Sequence, residues 1–178
     1  PFLQARVLRL LRVLGEGDTE ASEQMSDILA QVATKTDTSK NVGNAIMYEC
    51  VQTIMAIEAE KGLRVLAINK LGRFLAHKDN NIRYVALATL LTVVRADRAS
   101  VLRQKPTIVA CLRDTDVSIR VRAVELVYVL IDDENVVELT REILHFLGSA
   151  QGDARTDVCS KIASIVERFS SSPLWQVA

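Results

Sequence analysis

Aromatic residues are scarce in this chain: Phe, Tyr and Trp together make up 4% of its 178 residues. With no clean period-two alternation between turn residues, that scarcity argues against a sheet-built domain. Pro1, Pro106 and Pro173 are the only prolines and there are seven glycines, so long segments can stay helical without a break. No apolar run approaches the roughly 20 residues of a membrane-spanning helix, and the N-terminus lacks the pattern of a signal peptide. Cys50, Cys111 and Cys159 are odd in number and far apart, each within an apolar helical pattern. They read as reduced, buried, small hydrophobes of a cytoplasmic protein and not as a disulfide framework. The only two histidines, His77 and His145, have no second His, Cys or carboxylate at zinc-binding spacing. No phosphate-cradling glycine loop, nucleophile elbow or metalloprotease motif is present. The expectation is a chain with no catalytic residues, no metal and no cofactor.

What is abundant is apolar helix-forming sequence, with hydrophobic residues at 49%. Residues 78–91 read KDNNIRYVALATLL and residues 115–128 read TDVSIRVRAVELVY; an offset of 37 lays Asp79 on Asp116, Ile82 on Ile119, Arg83 on Arg120 and Ala86 on Ala123. The same offset lays Leu71 and Leu75 on Ile108 and Leu112. A period in the high thirties with two apolar helical stretches per unit describes stacked helix pairs, because one pair cannot cover its own hydrophobic face. The pattern predicts nine helices, over 2–14, 21–35, 42–57, 63–77, 81–95, 100–113, 117–131, 135–147 and 154–169. Gly15-Glu16-Gly17-Asp18 ends the first and caps the second through Asp18 or Thr19. Pro106 removes a backbone donor inside the sixth helix and should kink it or restart it there. Gly72 inside the fourth suggests close helix approach. The expected fold is all-α, an α-solenoid of antiparallel helix pairs forming one fragment, 1–178, without an internal domain boundary. The chain opens at Pro1 already inside a helical run, which reads as an excerpt.

The Asp…(Val/Ile)-Arg-x-x-Ala pattern resembles the HEAT repeat. That resemblance implies a hydrogen-bonded ladder of Asp79, Arg83, Asp116 and Arg120 between successive units, since a half-buried guanidinium requires carboxylate or carbonyl partners. Longer strings, PFLQARVLRLLRVLGEGD, DILAQVATKTDTSKNVGNAIMYECVQTI, GLRVLAINKLGRFLAHKDNNIRYVALATLL and DVSIRVRAVELVYVLID, resemble the adaptin large chains of clathrin adaptor complexes, the gamma class most of all, in the middle part of the trunk. The likeness is strong to about Asp132 and looser beyond, where Trp175 after Ser-Pro is compatible with it. It implies a non-enzymatic coat component, cytoplasmic and peripheral on trans-Golgi network and endosomal membranes and on clathrin-coated vesicles. The partners it implies are a beta-type large chain, a medium chain, a small chain and an Arf-type small GTPase, with membrane association through the complex. Two other uses of such repeats are a transport carrier and a regulatory subunit of an enzyme.

Charge is balanced in total and uneven along the chain. From Lys61 to Arg122 there are 13 Lys and Arg against 4 Asp and Glu; from Ala123 to Asp157 there are 2 against 8. A basic zone beside an acidic one can steer a partner of matching polarity, and it can equally consist of solvated helix faces. A neutral chain with few aromatics lacks the phosphate footprint and stacking platforms of a nucleic-acid binder. The helix at 81–95 is apolar around most of its circumference, leaving a narrow face of Asn81, Tyr84, Ala88, Thr92 and Arg95; one period on come Ser118, Val121, Glu125, Val129 and Asp132. The candidate partner surface is therefore Lys70, Arg73, Lys78, Tyr84, Arg95, Arg98, Val121 and Val129.

Overall fold

The computed structural model describes residues 2–169; Pro1, Pro173 and Trp175 lie outside them. Among the described residues every regular element is a helix, and there are ten: α1 (Phe2–Gly15), α2 (Thr19–Lys35), α3 (Asn41–Ala56), α4 (Lys61–Phe74), α5 (Asn80–Val93), α6 (Arg98–Leu102), α7 (Lys105–Cys111), α8 (Val117–Leu130), α9 (Val136–Leu147) and α10 (Gly152–Phe169). The count exceeds the expected nine because the sixth helix is two. Its chain breaks after Leu102 and restarts at Lys105 with Pro106 in the first turn, where a missing N–H costs nothing and a fixed φ suits the helix.

The chain forms two compact units, Pro1–His77 and Lys78–Ala178. In the first, α3 packs against α1, α2 and α4, and its buried residues Ile46, Met47, Cys50, Val51 and Ile54 fill the space between them. Leu29 of α2 and Ile68 and Leu71 of α4 are fully buried on the same core. Side chains tie the helices through backbone groups: Thr53 Oγ1 donates to the Leu8 carbonyl at 3.0 Å and Ser22 Oγ to the Gly15 carbonyl at 3.1 Å. Asp18 starts α2, its side chain accepting from Ala21 N at 2.9 Å, directly after Gly17, whose φ of 77° turns the chain out of α1. A close backbone approach falls at Gly43, where a Cβ would stand 1.7 Å from the Asp37 carbonyl oxygen. Gly72 is buried in α4.

In the second unit α8 is the central rod, packed against α5, α7, α9 and α10. Leu87, Leu90, Ile108, Ile119, Leu126 and Leu130 are its largest fully buried side chains. The repeat is legible in this core, because Ile108 and Leu112, the counterparts of Leu71 and Leu75, are buried like them, as are Ala86 and Ala123. Polar contacts also span one period: Asn80 to Asp116, Arg122 to Tyr84 and Tyr128 to Ser164 join residues 36 to 38 apart on α5, α8 and α10. Within this unit α5 lies beside α8, and α8 beside α10, each next to its equivalent one period on, as stacking requires. Cys159 departs from expectation. It is exposed on α10, which buries only Val158 and Ile165, while Cys50 and Cys111 are buried as expected.

Candidate functional site

The repeated Asp residues begin helices. Asp79 and Asp116 occupy the N-cap positions of α5 and α8, each accepting from the backbone N–H two residues on at 2.8 Å. Asp116 also accepts from Asn80 Nδ2 at 2.8 Å, and that hydrogen bond, ahead of the Ser118 N–H, holds its carboxyl below the usual carboxylate range.

A further carboxylate, that of Asp114, meets Arg83. Arg83 Nη2 lies 2.9 Å from Asp114 Oδ2 and 3.1 Å from Oδ1, with both side chains only 13% exposed. The same guanidinium donates to Asn80 Oδ1 at 2.8 Å and to the Lys78 carbonyl at 3.1 Å. Asp114 Oδ1 further accepts from Asp116 N at 2.9 Å, and Arg120 Nη1 donates to the Asp114 carbonyl at 2.8 Å. Asp114 thus connects both arginines to the turn before α8, beside the four residues that the repeat pattern singled out.

The two charge zones meet within the second unit. Arg98 pairs with Asp132 at 2.9 Å, Lys105 with Glu138 at 2.7 Å and Arg113 with Glu142 at 2.8 Å. Both members advance together along the chain, which places α6 and α7 beside α9 with a rail of three ion pairs. The rail occupies half-exposed side chains, so it fixes register more than it adds stability. Arg98 is accordingly engaged within the fold, also donating to the Leu130 carbonyl at 2.7 Å. Arg95 differs, being exposed with no carboxylate among the described residues at ion-pair distance.

None of the ten residues on the expected narrow face is buried. Tyr84 is half-buried; Arg122 Nη2 donates to its hydroxyl at 2.7 Å, with the guanidinium carbon 5.1 Å from the ring centroid, and Arg122 also pairs with Glu125 at 2.6 Å. Further along, Lys161 lies 6.0 Å from the Tyr128 ring centroid and pairs with Asp157. Arg95 and Val129, the latter 41% exposed, come together in a groove of about 570 Å³ with Leu91, Thr92, Glu125, Tyr128 and Lys161. Val121 is half-buried on α8, and exposed Lys78 lies ahead of α5. Lys70, half-buried, and Arg73, exposed, sit on α4 in the first unit. Arg122, Tyr128 and Lys161 were missed by the sequence reading; the available signal was the three-residue spacing of Arg122 and Glu125. A second groove of about 570 Å³, in the first unit, is lined by Val7, Leu11, Ile28, Val32, Val42 and Ile46 among others.

Among the described residues no group of three or more His, Cys, Asp or Glu could hold a metal ion, and no helix is long and apolar enough to cross a membrane. Stacked helix pairs joined by side chains one period apart define an α-helical repeat protein that offers surface grooves and helix faces. Comparison with known proteins narrows this: the family model described as "Adaptin N terminal region" matches residues 1–178, and the chain belongs to that family. The expected placement in the middle of the trunk is corrected accordingly to the adaptin N-terminal region. The AP-1 complex subunit gamma of Dictyostelium discoideum is 55% identical over 177 residues, covering 99% of this chain and 20% of the relative. AP-1 complex subunit gamma-1 of Arabidopsis thaliana is also 55% identical over the same spans, and AP-1 complex subunit gamma-like 2 of Homo sapiens is 51% identical, covering 99% of this chain and 22% of the relative. The chain spans about one fifth of the length of these relatives.

Proposed function

We propose that this chain is a non-enzymatic scaffold segment of the large subunit of a clathrin adaptor complex, supporting coat assembly and vesicle-mediated protein sorting through protein–protein contacts. The observation that carries the reading is the whole-length match: the relatives at 51–55% identity are gamma subunits of AP-1 complexes, with no part of the 178 residues left to a different domain. The partners of this reading are a beta-type large chain, a medium chain, a small chain and an Arf-type small GTPase. Its place is the cytoplasmic face of trans-Golgi network and endosomal membranes, reached through the complex. The offset of 37 that relates Leu71 and Leu75 to Ile108 and Leu112 in the sequence supports reading residues 1–178 as one repeat fragment. Asp79, Arg83, Asp116 and Arg120 serve the array itself, as caps and as spacers of its turns, while the exposed face of α5 and α8 is left for partners.

The test is affinity purification of the full-length protein under native conditions, with mass spectrometry of what accompanies it. Recovery of the other three adaptor chains in equal amount is the expected result. Recovery with a catalytic chain, or with soluble cargo and none of those chains, would refute the proposal.

A further inference from the structure

The groove between α5, α8 and α10 has a charge that its own residues leave unanswered. Arg95, Lys161 and Glu125 line it, and Arg122 and Asp157 enter as the ion-pair partners of Glu125 and Lys161. Arg122 pairs with Glu125 and Lys161 with Asp157, so one positive charge remains, on Arg95. The groove also keeps apolar surface: Val129 is exposed, Leu91 is half-buried, and Tyr128 contributes its ring while its hydroxyl shares a hydrogen bond with Ser164 at 3.2 Å.

The two ion pairs do more than balance charge. Each cation also stands over a ring, Arg122 over Tyr84 and Lys161 over Tyr128, so both aromatic side chains are held in place before any partner arrives. A surface whose tyrosines are already ordered loses less conformational entropy on binding, and tyrosine beside an unpaired arginine is the composition of interface hot spots. A single uncompensated positive charge fits a singly charged carboxylate, whereas a phosphate dianion would leave a surplus negative charge near Glu125.

We propose that the α5–α8–α10 groove docks a segment of another adaptor chain that places an aliphatic side chain against Leu91 and Val129 and an Asp or Glu carboxylate on Arg95. This rests on the reading of the chain as an adaptor large-subunit segment and adds to it which surface docks and what chemistry occupies it.

The experiment uses the full-length large chain co-expressed with the other adaptor chains. Arg95→Glu and Val129→Asp alter exposed side chains. Each is expected to weaken retention of one partner chain at least about tenfold while the melting temperature of the large chain alone is unchanged. Arg103→Glu, an exposed cation outside the groove, is the control and should leave retention intact. A photo-crosslinking residue at Thr92 should then capture a peptide carrying Asp or Glu within about four residues of Leu, Ile, Val or Met, since one carboxylate and one aliphatic group must span the groove together. If the wild-type chain assembles and both variants assemble equally well, or the captured peptide lacks an acid, or lipid is captured instead, the groove proposal is overturned and the adaptor reading stands. If the wild-type chain recovers no adaptor chain at all, the adaptor reading fails, and the proposal with it.

Discussion

Removing the Asp114 side chain should destabilise the second unit more than removing either repeated aspartate. The carboxylate receives Arg83 Nη2 on both oxygens, at 2.9 and 3.1 Å, and Asp116 N at 2.9 Å on one of them. Both members of the ion pair are 13% exposed, so water cannot fully replace what is lost. A charge-assisted hydrogen bond contributes about 1.5–3 kcal/mol, and stranding one partner of a buried pair costs about 3–5 kcal/mol. Arg83 keeps its bonds to Asn80 and to the Lys78 carbonyl, which places Asp114→Ala at the lower end, roughly 2–4 kcal/mol. Asp79→Ala removes a half-buried helix cap, the loss of which by itself costs about 1 kcal/mol. Asp116→Ala should likewise cost less than Asp114→Ala. Urea denaturation followed by circular dichroism at 222 nm gives the ranking directly. A loss for Asp116→Ala equal to or larger than that for Asp114→Ala would refute the reasoning and return the pairing role to the repeated residue.

Other predictions concern acid, thiols and backbone contact. Hydrogen bonds from Asn80 and Ser118 hold Asp116 below the usual carboxylate range, and those from the Ser39 backbone and side chain do the same for Asp37. Both groups therefore contribute stability that is present above the unfolded carboxylate pKa and is lost as pH falls through their depressed folded values. Urea midpoints measured from about pH 5 down to about pH 2 should drop, and Asp116→Asn, which keeps a capping oxygen, should flatten part of the drop; a profile unchanged by the substitution would count against the assignment. Burial pushes the Cys50 thiol up to about 12 and the Cys111 thiol to about 11, whereas Cys159 is exposed. An aromatic disulfide reagent should label one thiol per native chain at neutral pH, mapping to Cys159, and three after unfolding. Rapid labelling of Cys50 in the native state would contradict the packing of α3 against α2. Gly43→Ala should destabilise by roughly 1–3 kcal/mol, because its Cβ would stand 1.7 Å from the Asp37 carbonyl oxygen and the turn before α3 must move. A neutral effect in thermal melting would show that the turn yields freely.

The helices were legible because each is an apolar stripe ended by a capping or turn residue. Asp18 does cap α2, and Pro106 does mark a restart, though its surroundings alone did not distinguish a kink from two helices. The repeat identified Asp79, Arg83, Asp116 and Arg120 as equivalent pairs, and they do occupy equivalent places. Asp114 was invisible to that reasoning because one period before it stands His77 and one period after it Gln151, so no repetition marks it. Ion pairs between Arg98, Lys105 and Arg113 and the acidic stretch depend on which helices become neighbours. The linear charge count gave two zones but not their pairing across α6, α7 and α9. Cys159 looked apolar in its helix, yet α10 packs mainly against α9 and α8, and the side it buries takes Val158 and Ile165 instead.

That this segment is a scaffold whose free helix faces carry partners is tested most directly by amide hydrogen exchange of the full-length chain, alone and in the assembled complex. The account predicts slower exchange on assembly in peptides of this segment, with α5 and α8 among them, since contacts on their open faces suppress local opening. Superimposable exchange for every peptide from residue 2 to residue 169 in the two states would contradict it.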